Sequence, residues 1–225
     1  METADRCRNC SVQSQALCHV LDADALSDFA SAGREKRLFR GETLVWQGDR
    51  EANCATVTKG ALKLATLTED GEERIVGMAY PGDFVGSPFG GPSPVQITAL
   101  VDSELCLVAL EAFRKALAND RVLETELLRR TLDELTAARL DRSRMGGAGA
   151  RLAGLILNLD ARAPVCRAGP DYIELPFSRA EIGQLLDMRI ETVSREFGAL
   201  EETGAIRREG RRGLHILDRD RLRAA

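Results

Sequence analysis

The hydrophobic pattern changes character at Glu111, and that change leaves few architectures open. From 38 to 110 short apolar runs follow one another: LVW (44–46), ATVT (55–58), LKLATLT (62–68), RIVGMAY (74–80), VQITALV (95–101) and LCLVAL (105–110). Gly41, Gly48, Gly60, Gly71, Gly82 and Gly86 punctuate them. Short strands between turn signals predict an antiparallel barrel or jelly roll. Glu69-Asp70-Gly71 is its clearest hairpin tip. From Glu111 to Arg144 there is no Gly or Pro, and Leu123, Leu127, Leu128, Leu132 and Leu135 recur at helical spacing. That predicts one amphipathic helix of about 30 residues. A leucine seam of this length is either a dimer interface or a face packed on its own barrel. The dimer reading takes Leu128, Thr131, Leu132, Leu135, Thr136 and Ala138 as the seam.

Gly146, Gly147 and Gly149 then mark a hinge, after which helical pattern resumes at Arg151. Pro164 to Pro170 read as a loop. The fold class expected is α+β: an N-terminal β-roll, a long dimerisation helix and a C-terminal winged helix-turn-helix. Its segments are 1–20, rich in cysteine; 21–115, the β-roll; 116–146, the helix; and 147–225, the DNA-binding domain.

The last segment rests on LPFSRAEIGQLLDMRIETVSREFGALEETGAI (175–206). Ser178 and Glu181 have capping-box spacing, so a helix starts there with Ile182, Leu185 and Leu186 inward. Asp187 suits a left-handed turn residue. A second helix from Ile190 buries Val193, Phe197 and Leu200, and Gly204 ends it. Arg189 stands at its N-cap, where Ser or Thr caps better. Two short helices across a tight turn, then a hairpin with Arg207, Arg208, Arg211 and Arg212, read as a winged helix-turn-helix. Glu191, Ser194 and Arg195 share the outer face, where Arg195 can reach guanine O6 and N7 and Glu191 can accept from cytosine N4. Arg189, Arg211 and Arg212 complete the candidate DNA contacts. By themselves, the Glu–Arg pair and the arginine cluster also read as a solvated helix face and loop.

Cys7, Cys10 and Cys18 lie close together near the N-terminus, and Cys106 stands alone in SELCLVAL. Bunched thiolates suit a metal site better than a disulfide framework. The chain has 225 residues, 44% hydrophobic and 29% charged, as in soluble proteins. It has no signal-peptide core and no run of roughly 18 apolar residues, so a cytosolic setting with reduced thiols is expected. A net charge of −4 opposes indiscriminate nucleic-acid binding. Cys54 reads as strand core, Cys166 as a loop thiol, and His215 as structural. His19, next to Cys18, is a further possible ligand. No catalytic constellation stands out, so an enzyme is not expected.

The β-roll, long helix and IETVSR (190–195) together resemble the CRP/FNR family of bacterial transcription regulators along nearly the full chain. Ile190, where the cyclic-AMP branch has arginine, points to the FNR branch. The resemblance implies a target of the form TTGAT-N4-ATCAA. Family members that bind cyclic nucleotides hold the phosphate with a glutamate and an arginine–serine pair. Here Ser87 replaces the glutamate, and Ser93-Pro94 to Gln96 has no arginine, so no cyclic nucleotide is expected. The resemblance instead implies a four-iron, four-sulfur ([4Fe-4S]) cluster on Cys7, Cys10, Cys18 and Cys106. Oxygen would degrade it, loosen the homodimer and release DNA. The competing use of the same cysteines is a zinc or thiol-redox site, although Cys106 has no neighbouring cysteine to make the paired zinc knuckle. Two departures bear on the dimer: Thr136 stands where an acidic residue is common, and Asp141-Arg142-Ser143-Arg144 where an apolar run is. RNA polymerase is an expected partner of the 68–74 hairpin, and a membrane is not.

Overall fold

A computed structural model of the protein describes residues 7, 9–50, 52–143, 146–162 and 169–225; for 140–143 the backbone alone is described. Two compact units are found: 1–67 with 78–144, and 145–225 with 68–77.

Residues 33–109 form two four-stranded antiparallel sheets. Strands β1 (Gly33–Leu38), β8 (Ser103–Ala109), β3 (Asn53–Lys59) and β6 (Phe84–Val85) form one, in the order β1-β8-β3-β6. Strands β2 (Thr43–Val45), β7 (Gln96–Ala99), β4 (Leu62–Leu67) and β5 (Glu73–Ala79) form the other, in the order β2-β7-β4-β5. Leu38, Val57, Leu62, Ile97, Leu105 and Leu107 fill the space between them. Alternation along β8 sends Leu105 and Leu107 into this core and Cys106 to the other face.

On that outer face lies a second apolar cluster. Helices α1 (Ala23–Ala32), α2 (Leu110–Asn119) and α3 (Arg121–Ser143) contribute to it. Phe113 and Leu123 pack there with Leu17, Leu21, Cys54 and Val108. Phe29 and Phe84 stack on Phe113 at centroid distances of 5.8 and 5.0 Å. Among the described residues, no helix is long and apolar enough to cross a membrane.

Several local expectations are corrected. The single helix expected over 111–144 is two. Asp120 adopts an extended conformation (φ −125°, ψ 102°) and ends α2. Its Oδ1 then accepts from the backbone N–H groups of Val122 and Leu123, at 2.8 and 3.0 Å, capping α3. A side-chain cap thus breaks a stretch with no Gly or Pro. Leu123 is buried in the core rather than in the seam, whereas Leu128, Leu132 and Leu135 are exposed. β1 was missed, because GREKRL is charged along most of its length. Cys166 and residues 163–168 of the expected loop lie outside the described residues, as do the side chains of Asp141, Arg142 and Ser143 and all of Arg144.

The second unit contains α4 (Ala148–Arg162), α5 (Arg179–Leu186), α6 (Ile190–Glu202) and α7 (Arg219–Ala224). They pack with a three-stranded sheet ordered β10 (Ile206–Glu209), β11 (Gly213–Ile216), β9 (Tyr172–Glu174). Leu152, Ile156, Ile173, Phe177, Ile182, Val193, Phe197 and Leu214 are buried. Gly149, expected in a hinge, lies in the first turn of α4, where a Cβ would stand 3.3 Å from Glu196 Oε2. Arg219 joins Asp160 and Asp171 at 2.8 and 2.9 Å and ties α7 to α4 and to the approach to β9.

Candidate metal centre and nucleic-acid interface

Backbone turns fold the cysteine segment. The N–H of Cys10 donates to Cys7 O, that of Gln13 to Cys10 O and that of Ala16 to Val12 O. Val12, Ala16 and Leu17 are buried and anchor it. Cys18 follows in a short 3-10 turn, Leu17–Val20. Cys106 lies opposite Glu35 and Thr56 in register and shares its strand face with Val108, which packs against Leu17. Cys7, Cys10, Cys18 and Cys106 are all half-buried, Cys54 is fully buried, and none of these five described cysteines is in a disulfide.

Burial pushes the Cys18 thiol up to about 12, and the charges of Cys7, Cys10 and Cys106 push in the same direction. The three thiols that act on Cys18 are therefore the other three of the expected set. Among the described residues, however, no three His, Cys, Asp or Glu side chains converge as they would on a single metal ion. As a thiolate, Cys18 would be poorly hydrated and repelled by the other three. A positive metal group offsets both costs, so the donor set fits one. His19 Nδ1 lies 3.0 Å from Ala16 O.

Sequence reasoning missed the residues that hold this segment to α3. Glu126 is 8% exposed and receives Arg129 Nε at 2.8 Å and Arg130 Nε at 2.7 Å. Those hydrogen bonds hold its carboxyl well below the usual range, at about 2. The signal available was the i, i+3, i+4 spacing of Glu126, Arg129 and Arg130. Thr131, Thr136 and Ala138 are exposed with the three leucines of the expected seam, and Val122 is exposed as well.

A cavity of about 220 Å³ opens in the β-roll, lined in part by Arg34, Lys36, Asp49, Arg50, Val85 and Gly86, with nothing from 87–96. In that stretch Ser87 Oγ donates to Gly90 O, and the buried Ser93 to Val95 O. Arg114, from α2, donates to the carbonyls of Pro88 and Phe89. Both serine hydroxyls of the loop are thus engaged within it.

In the second unit the helix-turn-helix is set by local chemistry. Ser178 and Glu181 cap each other, at 3.2 Å from Glu181 N and 2.7 Å from Ser178 N. Asp187 is left-handed (φ 51°) and turns the chain. A Cβ on Gly183 would lie 2.6 Å from Met188 O, so the turn needs glycine there. α6 buries Val193, Phe197 and Leu200 and exposes Glu191, Ser194 and Arg195. Arg195 is 72% exposed and pairs with Glu196 at 3.2 Å. Arg189 makes no side-chain cap. In the wing, Arg207 and Arg211 are exposed and Arg212 is half-buried, whereas Arg208 is engaged by Glu201 at 2.6 Å. His215 Nε2 donates to Glu209 Oε2 at 2.6 Å, and its ring stands edge-on to Tyr172. Arg179, unforeseen in the sequence, sits 3.4 Å over the Phe197 ring.

Comparison with known proteins agrees with both units. Residues 150–225 match the Crp-like helix-turn-helix domain, and 35–120 the cyclic nucleotide-binding domain. The transcriptional activator protein FnrL of Cereibacter sphaeroides is 32% identical over 223 residues, covering 96% of this chain and 90% of that protein. The nitrogen fixation regulation protein FixK of Bradyrhizobium diazoefficiens is 32% identical over 202 residues, covering 89% and 85%. The solved structure of FixK2 from Bradyrhizobium japonicum matches with a TM-score of 0.75 at 27% identity, covering 85% of this chain and 96% of that one. Similarity at this level along nearly the whole length means that the chain belongs to the CRP/FNR family: it is a DNA-binding transcription regulator, not an enzyme.

Proposed function

We propose that this regulator is oxygen-responsive, with a four-iron cluster on Cys7, Cys10, Cys18 and Cys106 that favours a homodimer on a TTGAT-N4-ATCAA palindrome. The observation that carries this reading is that Cys18 packs in the apolar cluster of Leu17 and Val108, on the β8 face that bears Cys106, eight residues after Cys10. A four-iron cube takes one thiolate per iron and spreads its ligands wider than a single ion does. That suits four half-buried thiols which, among the described residues, do not converge on a single point. When bound, the cluster supplies the positive charge that four thiolates need and the sensitivity to oxygen. The chain supplies the rest: Leu17 and Val12 seat the segment, and β8 presents Cys106.

Leu128, Leu132 and Leu135 form the exposed apolar stripe that a second copy covers, with Thr131, Thr136 and Ala138 completing the seam. A dimer places two recognition helices about 34 Å apart, one turn of DNA. In each half-site Arg195 reads guanine, Glu191 cytosine, and Ser194 a base edge or phosphate. Arg189, Arg211 and Arg212 hold phosphates. Residues 1–20 are the sensor segment, 21–115 the β-roll, 116–146 the dimerisation region and 147–225 the DNA-binding domain. Cyclic nucleotide is not the effector, since Ser87 and Ser93 are spent within their own loop. The 68–74 hairpin, with its acidic tip, contacts RNA polymerase, and the protein works in the cytoplasm.

Anaerobic purification tests the cluster. The expected protein is brown, with broad visible absorption and equal amounts of iron and sulfide, and Cys106→Ala abolishes these. A colourless protein that carries zinc overturns the reading.

A further inference from the structure

Arg130 spans two functions that lie far apart in sequence. Its Nη1 donates to Gln15 O at 2.7 Å and its Nη2 to Ala16 O at 3.3 Å, across more than a hundred residues. Gln15 and Ala16 lie between Cys10 and Cys18. His19 Nδ1 stands 3.4 Å from the same Nη2. The guanidinium is not free to swing, because its Nε donates to Glu126 Oε1 at 2.7 Å. Arg129 grips the same carboxylate at 2.8 Å through both Nε and Nη2, and Asp133 through Nη1. The carbonyls are placed just as firmly. Ala16 and Leu17 are buried, and Gln15 Cβ comes so near Gly82 that a side chain there would meet it at 2.9 Å.

The helix geometry gives this grip a direction. Residues two apart on an α-helix face about 200° from one another. Arg130, with Glu126 and the buried Leu123, therefore lies on the side of α3 opposite Leu128 and Leu132. One face of the helix holds the cysteine segment, and the other carries the seam.

The geometry points to Arg130 as the positioning residue that couples the cysteine segment to the dimerisation helix. Held by Glu126, it fixes the chain just before Cys18, so that a change at the cysteines shifts the helix that bears Leu128 and Leu132. This rests on the cluster reading above. Arg130 acts through the carbonyls of Gln15 and Ala16. Its effect is on where Cys18 stands and on how strongly cluster loading favours the dimer.

The test compares wild type, Arg130→Met and Arg130→Lys, each reconstituted anaerobically with iron and sulfide. Arg130→Met keeps all four cysteines and loads a cluster. Its visible absorption decays in air about tenfold faster than wild type, the scale of a lost charge-assisted hydrogen bond. The difference in dimer dissociation constant between cluster-loaded and metal-free protein shrinks by a similar factor. Arg130→Lys keeps the charge beside Glu126 and restores part of both. In metal-free protein the amides of 16–21 exchange about tenfold faster in Arg130→Met, and thermal unfolding of the second unit is unchanged. Wild type without iron and sulfide overturns the cluster reading and this proposal with it. Wild type with a cluster, but with air lifetime and dimer coupling equal in Arg130→Met, overturns the proposal alone.

Discussion

Glu191, Ser194 and Arg195 point away from Val193 and Phe197, so each can be truncated without opening the core. Arg195→Ala should lose about 1–3 kcal/mol on the TTGAT palindrome, with less loss on DNA altered at that base pair. Fluorescence anisotropy with matched and altered duplexes decides it, and equal losses on both would remove Arg195 from base readout. The wing behaves differently. Arg211→Ala should weaken binding to both duplexes alike and lower the salt slope by about one. Gly183→Ala sets a methyl against a backbone oxygen that cannot give way, at 2.6 Å, and should cost about 1–3 kcal/mol in thermal unfolding. At this scale the sequence is readable where the chemistry is local. Ser178, Asp187 and Gly204 are legible because cap and turn are made within a few residues. Gly183 and Arg179 are not, because their partners are brought to them by the turn and by Phe197.

At the scale of elements, side-chain caps and charge pairs override the apolar pattern. Asp120 splits an uninterrupted helical stretch because its carboxylate satisfies two N–H groups of a new helix start. β1 forms from GREKRL because β8 offers it a full ladder from Gly33↔Val108 to Leu38↔Ser103, with only Leu38 buried. Glu126 carries a consequence for acid. Its folded carboxyl titrates at about 2 instead of 4.5, held by Arg129 and Arg130, with Asp133 and His19 the other ionisable groups near those arginines. The stabilisation is complete above pH 4.5 and fades as pH falls toward 2. Wild type should unfold a few degrees above Glu126→Gln at pH 6, and the gap should narrow below pH 4.5 and close only as pH falls through about 2. A gap that is constant with pH would mean the carboxylate charge is not what stabilises the pair.

For the molecule as a whole, the exposed leucines and the cysteine set set the scale of the switch. Leu132→Glu should shift the cluster-loaded protein toward monomer in sedimentation velocity and weaken palindrome binding at least about tenfold, since a monomer reads one half-site. Cyclic AMP titrated calorimetrically should give no binding heat, and saturable binding would refute the argument from Ser87 and Ser93. The sequence by itself determined the class of protein: glycine-punctuated strands, a leucine helix and IETVSR in order. It did so because strand alternation, helical spacing, capping and the recognition face are properties of neighbours in the chain. The tertiary structure alone decided three things. It packed the β8 face that bears Cys106 and Val108 with Leu17 and Cys18, some ninety residues earlier. It divided the leucines of α3 between core and surface. It set Arg130 on the carbonyls of Gln15 and Ala16. Each depends on which surfaces meet once the two sheets close and the cysteine segment packs beneath α3, and no local pattern records that.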